Sequence, residues 1–513
     1  MEQVANVDLA RLKRVRDWRI VLPVFLVSII ACIDRVNLAY AKLTMTADLP
    51  WITPEVFGMG AGIFFVGYLM FEIPGSLVAS HFSATKWIAR IMFTWGLVCI
   101  FMAFVTTEFQ FFLCRFLLGA SEASLYPVIY SVLFPRWFTA GERAHATSLM
   151  LTSLLLSNII GAPLAGVLLE SSFFGMHGWQ ELFILEAIPA LAFAVFFFFC
   201  VKDRPDQVGW LTDAEKAYLT DNFNKEQAAM QSRKKYTVLQ AFHDPKVLKL
   251  CLIYFLWVVG FWGFYFWMPT VLKELSGLST SLLGGAIAIP MTAALLVQLV
   301  ISKTATKTGD KVWHVACTLF VGAIGLGLSP FAQSLPVALA LVCLSAIGIH
   351  AAMGVWWTIP TTFLTGPAAA GSVALINSCG NLGGWVGPNM MAWVKVNTGS
   401  FAAGYYIMGA AMLISGLLVL TIQYKLNGQR KDVFAADHAA DVKVEEVEAY
   451  TALASITSKS KRCLTDGQSP FFLHRLSASQ SSFTLILTTT LRTVMGWPDA
   501  QAGRWMSSGK KTL

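Results

Sequence analysis

Cys32-Ile33-Asp34-Arg35-Val36-Asn37-Leu38-Ala39-Tyr40 ends an apolar run that begins near Arg19, and it places an acid beside a base at the depth of a lipid bilayer. The run is as long as the roughly 20 apolar residues that cross a hydrocarbon core. A charge there costs at least ~2.5–3.5 kcal/mol, so such residues face a bundle interior or a water-filled cavity and mark solute or proton pathways. The stretch reads as the first helix of a membrane protein that moves a solute.

Composition extends this reading to the whole chain. Of 513 residues, 56% are hydrophobic and 13% charged, with mean hydropathy +0.61, whereas soluble domains carry about 25% charged residues. Twelve apolar segments are expected to span, centred near Ile30, Gly67, Gly96, Ala120, Leu156, Leu191, Gly260, Ala293, Val321, Gly348, Gly380 and Ala411. The expected class is an all-α membrane protein of twelve transmembrane helices. Its divisions are a cytoplasmic N-terminus (1–19), a six-helix bundle (20–201), a cytoplasmic central loop (202–246), a second six-helix bundle (247–425) and a tail (426–513). The tail is polar and Ser/Thr-rich, and is expected to be disordered and dispensable.

The basic segment Arg11 to Arg16 precedes an apolar run too long for a signal-peptide core, so the first span is expected to remain. Lys and Arg then recur in alternate connections: Lys86 and Arg90, Arg136 and Arg143, 202–249, and Lys303 to Lys311. The positive-inside rule therefore places both termini and the central loop in the cytoplasm. These loops account for the net charge of +8 without a nucleic-acid partner. The cysteines lack metal-ligand spacing and are expected to be reduced packing residues, with no metal site and no cofactor beyond a coupling ion.

The two halves repeat. Lys86-Trp87 matches Lys311-Val312-Trp313, Gly161-Ala162-Pro163 matches Val386-Gly387-Pro388, and Pro135 matches Pro360, all at an offset of about 225 residues. A duplicated six-helix unit follows, a division expected if two bundles rock against each other.

Arg115 and Glu122 lie seven residues apart, two turns along one face of the fourth span, and that face cannot point at lipid. With Asp34 and Arg35 they give two carboxylates and two guanidiniums able to neutralise one another. One reading is a pair of structural salt bridges. The other is that an Arg is held by a carboxylate until a substrate carboxylate arrives, which its fork binds bidentately. Asp34 and Glu122 are then able to load and release coupling protons. Asp34 and Arg35, being adjacent on a helix, diverge and need not pair. Asn377 and Asn381, four residues apart on a Gly-rich helix, are expected to line the cavity, and Tyr68 is placed to donate to a carboxylate. Asn158, His350 and Thr358 are secondary candidates, His350 more in keeping with packing. Glu72, just before Pro74, is expected to pair near the membrane surface.

Together these residues resemble the major facilitator superfamily, and within it the anion:cation symporter family of organic-acid permeases. The matching pieces are Asp34-Arg35-Val36-Asn37, Arg115 to Glu122 with Pro127, Phe134-Pro135-Arg136-Trp137-Phe138 with Glu142-Arg143, Asp203-Arg204-Pro205 with Trp210-Leu211 and Glu215, and Ile376-Asn377-Ser378-Cys379-Gly380-Asn381 with Gly387-Pro388. The resemblance covers about Arg19 to Lys425. It implies the pseudo-symmetric major facilitator fold, substrate carboxylate on Arg35, proton transfer at Asp34 and Glu122, Arg115 as partner of Glu122, and substrate contacts from Tyr68 and Asn377. One departure stands out: the loop Gly75 to Lys86 lacks the acidic residue usual there, whereas Ser302 to Lys311 of the second half holds Asp310.

The resulting expectation is a monomeric importer, with membrane lipid around it, that takes up a small organic anion (a sugar acid, hydroxy acid or aromatic acid) with protons by alternating access. Sodium coupling or exchange is the alternative within transport, because the same carboxylates bind either cation. A non-transporting anion sensor lacks a folded output domain in the tail, and an enzyme lacks any nucleophile–base constellation.

Overall fold

The computed structural model describes residues 7–231, 244–360 and 367–422. The tail expected to be disordered lies outside the described residues. Among the described residues, eleven helices are long and apolar enough to cross a membrane. We label the long helices α1 (Leu9–Asp48), α2 (Pro54–His81), α3 (Ala84–Met102), α4 (Glu108–Trp137), α5 (Ala140–Leu169), α6 (Gly178–Cys200), α7 (Pro245–Ser276), α8 (Thr280–Thr308), α9 (Lys311–Phe331), α10 (Leu335–Trp356), α11 (Pro367–Thr398) and α12 (Ala402–Ile422). Each expected span centre falls in one of them. The helix outside the eleven is α11, whose Asn377, Asn381, Asn389 and Asn397 dilute its apolar character.

Their pairing is repetitive. α1 packs on α5 as α7 packs on α11, and α2 on α4 as α8 on α10; across the halves, α5 meets α8 and α11 meets α2. Each contact has its counterpart six helices later, which is what a duplicated unit produces. Small residues permit the cross-half approaches: a Cβ added at Gly284 of α8 would lie 2.2 Å from the Ala162 carbonyl oxygen, and one at Gly166 would lie 2.5 Å from that of Thr280. The Gly-Ala-Pro segment thus sits at the α5–α8 interface, while in its repeat Gly387 packs on Val259 of α7 and the Pro388 carbonyl faces Gly58 of α2. Outward-facing side chains such as Phe101, Phe199, Leu296 and Leu417 are apolar and exposed, as lipid contact requires.

The Lys/Arg-rich connections gather at one end of the bundle, here the basic end. There the motif residues interlock. Arg16 bonds Glu142 at 2.5 Å and the Trp137 carbonyl at 2.7 Å; Arg11 bonds Glu215 at 2.5 Å; Trp137 stacks on Trp210 with centroids 5.4 Å apart. The acid missing from the α2–α3 connection is supplied from elsewhere. Asp203, just beyond α6, accepts from the Thr85 backbone N–H at 2.9 Å at the start of α3 and faces Arg136 at 3.7 Å. An acceptor at a helix N-terminus satisfies an otherwise orphaned donor.

Candidate functional site

A cavity of about 210 Å³ lies between the halves. Its walls come from both: Arg35, Tyr68, Glu72 and Tyr126 from the first, Trp262, Trp357, Asn377 and Asn381 from the second. Glu72, Tyr126, Asn377 and Asn381 sit in the halves of their helices nearer the basic end, whereas Arg35 of α1 and Trp262 of α7 lie just past the midpoints of theirs. Toward the opposite end the halves are sealed. Lys42 lies 3.6 Å from the Trp267 ring centroid and 4.3 Å from that of Phe57, and Glu170 accepts from the Ser281 N–H at 3.0 Å and the Thr280 hydroxyl at 2.9 Å.

Arg35 is the cationic side chain on the cavity wall. One Nη donates to Glu122 of α4, and the rings of Phe64, Tyr68, Tyr126 and Trp262 surround its guanidinium carbon at 5.4–5.9 Å. Each ring face attracts the cation, and together they remove it from bulk water. The position of Glu122 depends on a break in α4: the first helical segment ends at Glu122, Ser124 adopts φ 72°, and the chain resumes at Leu125 with Pro127 two residues on. A positive φ on a non-glycine residue carries strain, which here coincides with the only ion pair to Arg35 among the described residues.

The pairing differs from the expected one. Arg115, implied as the partner of Glu122, is fully buried and donates through Nε to the Gly60 carbonyl at 2.9 Å, while its two Nη atoms have no hydrogen-bond partner. It acts on Glu122 through space alone, because Arg35 already occupies that carboxylate. Asp34 turns away from the cavity, as its neighbour's position demands, and accepts from Trp95 Nε1 of α3 at 2.5 Å.

Glu72 is a second correction. It does not pair at the membrane surface; it lines the cavity and accepts from Asn377 at 2.9 Å and Asn381 at 3.5 Å. Both asparagines are therefore on the cavity, as expected, and bridge α11 to α2. Of the secondary candidates, Asn158 bonds the Leu154 carbonyl at 2.8 Å, Thr358 bonds that of Val355 at 2.7 Å, and His350 packs edge-on against Phe261 and Tyr265; none lines the cavity. Sequence reasoning overlooked Glu186 of α6, a buried acid within an apolar run whose signal equalled that of Asp34. It also overlooked the aromatic box, since aromatics are frequent throughout and only the fold selects four of them.

The comparisons with known proteins agree with this architecture. Residues 24–388 match the model of the Major Facilitator Superfamily. A protein of Agrobacterium vitis described as a tartrate transporter is 40% identical over 81% of this chain and 96% of its own length. The inner membrane transport protein RhmT of Escherichia coli is 33% identical over 79% and 94%. In fold, the crystal structure of a bacterial homolog of the human lysosomal transporter Spinster superposes with a TM-score of 0.59 at 15% identity, covering 78% of this chain and 94% of that one. This chain belongs to the Major Facilitator Superfamily: it is a multi-pass membrane transporter and not an enzyme.

Proposed function

We propose that this protein imports a small organic carboxylate together with protons by alternating access, as a monomer in the bacterial inner membrane with both termini cytoplasmic. The observation that carries the reading is Arg35, a cation in an aromatic box on the wall of the cavity, held by a carboxylate that a substrate carboxylate can replace. The 40% identity to a protein described as a tartrate transporter supports an organic anion as cargo. The positive-inside rule makes the basic end cytoplasmic, so the cavity lies on the cytoplasmic side of the seal.

In the cycle, Asp34 and Glu122 take up protons when the cavity faces outward, freeing Arg35 for the anion. Closure of the opposite end then exposes the cavity inward. Proton loss returns Glu122 to Arg35 and expels the substrate. Taking up at least one proton per monoanion avoids moving net negative charge against an inside-negative potential, which would oppose it by ~2.3 kcal/mol per charge per 100 mV.

The test is a thermal-shift screen of purified protein against tartrate, gluconate and 4-hydroxyphenylacetate at two pH values, followed by uptake into proteoliposomes under a pH gradient or a sodium gradient. Stabilisation by at least one carboxylate, and accumulation driven by the pH gradient alone, is expected. Accumulation driven only by sodium would replace the proton, and no stabilisation by any carboxylate would remove the reading.

A further inference from the structure

Behind α1, on the side away from the cavity, a second polar group is buried in the first half. Asp34 and Asn37 of α1, one turn apart, face Trp95 and Cys99 of α3, also one turn apart, and Glu186 of α6 closes the group. Trp95 donates to one Asp34 oxygen at 2.5 Å; Asn37 Nδ2 lies 3.7 Å from the Cys99 sulfur, and Cys99 lies 3.5 Å from the carbonyl of Phe183, one turn before Glu186. All of these polar side chains are buried: Asp34 is 2% exposed, Asn37 1% and Glu186 5%. None of them lines the cavity.

The hydrogen-bond inventory of this group is incomplete. The second oxygen of Asp34, both oxygens of Glu186 and the side-chain oxygen of Asn37 receive no hydrogen bond. Asn37, which stands against Glu186, satisfies at most one carboxylate oxygen whichever way its amide is turned. No cationic side chain bonds either acid among the described residues. The charged and titratable groups in electrostatic reach are Glu122 near Asp34, Tyr40 near Glu186, and Cys99 near both, with Arg115 acting on Cys99. Two buried carboxylates without counter-cations cannot both be ionised; like-charged pairs of this kind share a proton.

We propose that Asp34 and Glu186 together form a binding site for the coupling proton, buried among α1, α3 and α6 and separate from the substrate cavity. The inference rests on the proton-symport reading and adds to its two acids a third, Glu186, and a location. The pair holds one proton on one or other carboxyl, sparing the second negative charge, and the proton returns to water on the opposite side of the membrane. α1 carries both this site and Arg35, with Asp34 and Arg35 adjacent in the chain.

Infrared spectroscopy of the purified protein without substrate tests the site directly. At neutral pH the wild type is expected to show a carboxylic-acid C=O band that shifts in Asp34→Asn and in Glu186→Gln and is lost in the double variant. Each variant is first checked for monodisperse elution, and the single variants decide the matter if the double does not fold. A band unchanged in both single variants overturns the proposal. A band abolished in wild type by sodium chloride but not by choline chloride assigns the site to sodium and overturns the proton. In proteoliposomes, Glu186→Gln is expected to keep exchange of the transported carboxylate while pH-driven accumulation falls at least tenfold; unchanged accumulation overturns the coupling role. If wild-type vesicles accumulate neither tartrate nor gluconate, the symport reading falls, while the infrared comparison still decides whether the acids share a proton.

Discussion

Arg35 and Glu122, 87 residues apart in the chain, are joined across α1 and α4 at the wall of the cavity, and each is the other's ion-pair partner. The cost of keeping both charges away from water is offset only while they remain together. A ligand carboxylate that takes the place of Glu122 can do so only if Glu122 is protonated or displaced. The pair therefore links anion binding to proton binding by a single contact.

Arg35→Lys keeps the charge and removes the planar fork and its stacking on the rings. We expect carboxylate affinity to fall at least tenfold, which is about 1.4 kcal/mol, with membrane insertion unchanged. Equilibrium binding to purified variant and wild type, compared with surface-labelled protein, measures this. Wild-type affinity in the variant would mean that Arg35 is structural.

Glu122→Gln removes the charge that holds Arg35 and leaves a carbonyl acceptor. Losing one member of a buried pair costs about 3–5 kcal/mol when nothing replaces it, so the unliganded variant is expected to melt earlier than wild type. A carboxylate ligand then restores the missing anion and is expected to raise its melting temperature more than it raises that of wild type. Exchange should survive and pH-driven accumulation should fail. Accumulation in proportion to the pH gradient would assign the proton to another residue.

The sequence made the spans, the duplication and the acid–base residues legible because each leaves a local mark: an apolar run, a shared offset, a charge at bilayer depth. Partner choice leaves none. Arg115 and Glu122 share a helical face, so spacing alone suggests a pair, yet Glu122 lies where α4 breaks at Ser124 and there meets Arg35 from another helix. Glu72 looked superficial because Pro74 follows it, but Pro74 lies inside a helix that continues to His81. That continuation keeps Glu72 facing α11, where the asparagines reach it.

At the basic end, Glu215 couples the central segment to the N-terminal helix. Burial pushes its carboxyl up, but the hydrogen bond from Arg11 and the N–H and hydroxyl of Thr212 outweigh this and hold it below its usual range. A carboxyl lowered by folding contributes stability above its unfolded value of about 4.3 and loses it as pH falls through the folded value. Glu215→Gln is therefore expected to lower amide protection, the observed exchange compared with the intrinsic rate at the same pH, in Leu9–Arg16 and Asp213–Gln231 at neutral pH, and acidification to lower that protection in wild type. Protection unchanged in both would show that the pair ties nothing together.

The seal at the opposite end depends on Gly284. A Cβ there would stand 2.2 Å from the Ala162 carbonyl oxygen, and a backbone atom cannot swing aside as a flexible side chain does. Gly284→Val forces α5 and α8 apart, and overpacking of this kind costs about 1–3 kcal/mol. Only the sealed state makes the contact, so the substitution shifts the ratio of states by about five- to 150-fold toward opening at that end. Spin labels on Phe173→Cys and Phe331→Cys, exposed sites on the two halves at that end, read the change as a move to longer distances. Uptake should fall with it, because a transporter that cannot close outside cannot complete a cycle. An unchanged distance distribution with full uptake would show that α5 and α8 accommodate the side chain by sliding, and that the seal is held by Lys42 and Glu170 instead.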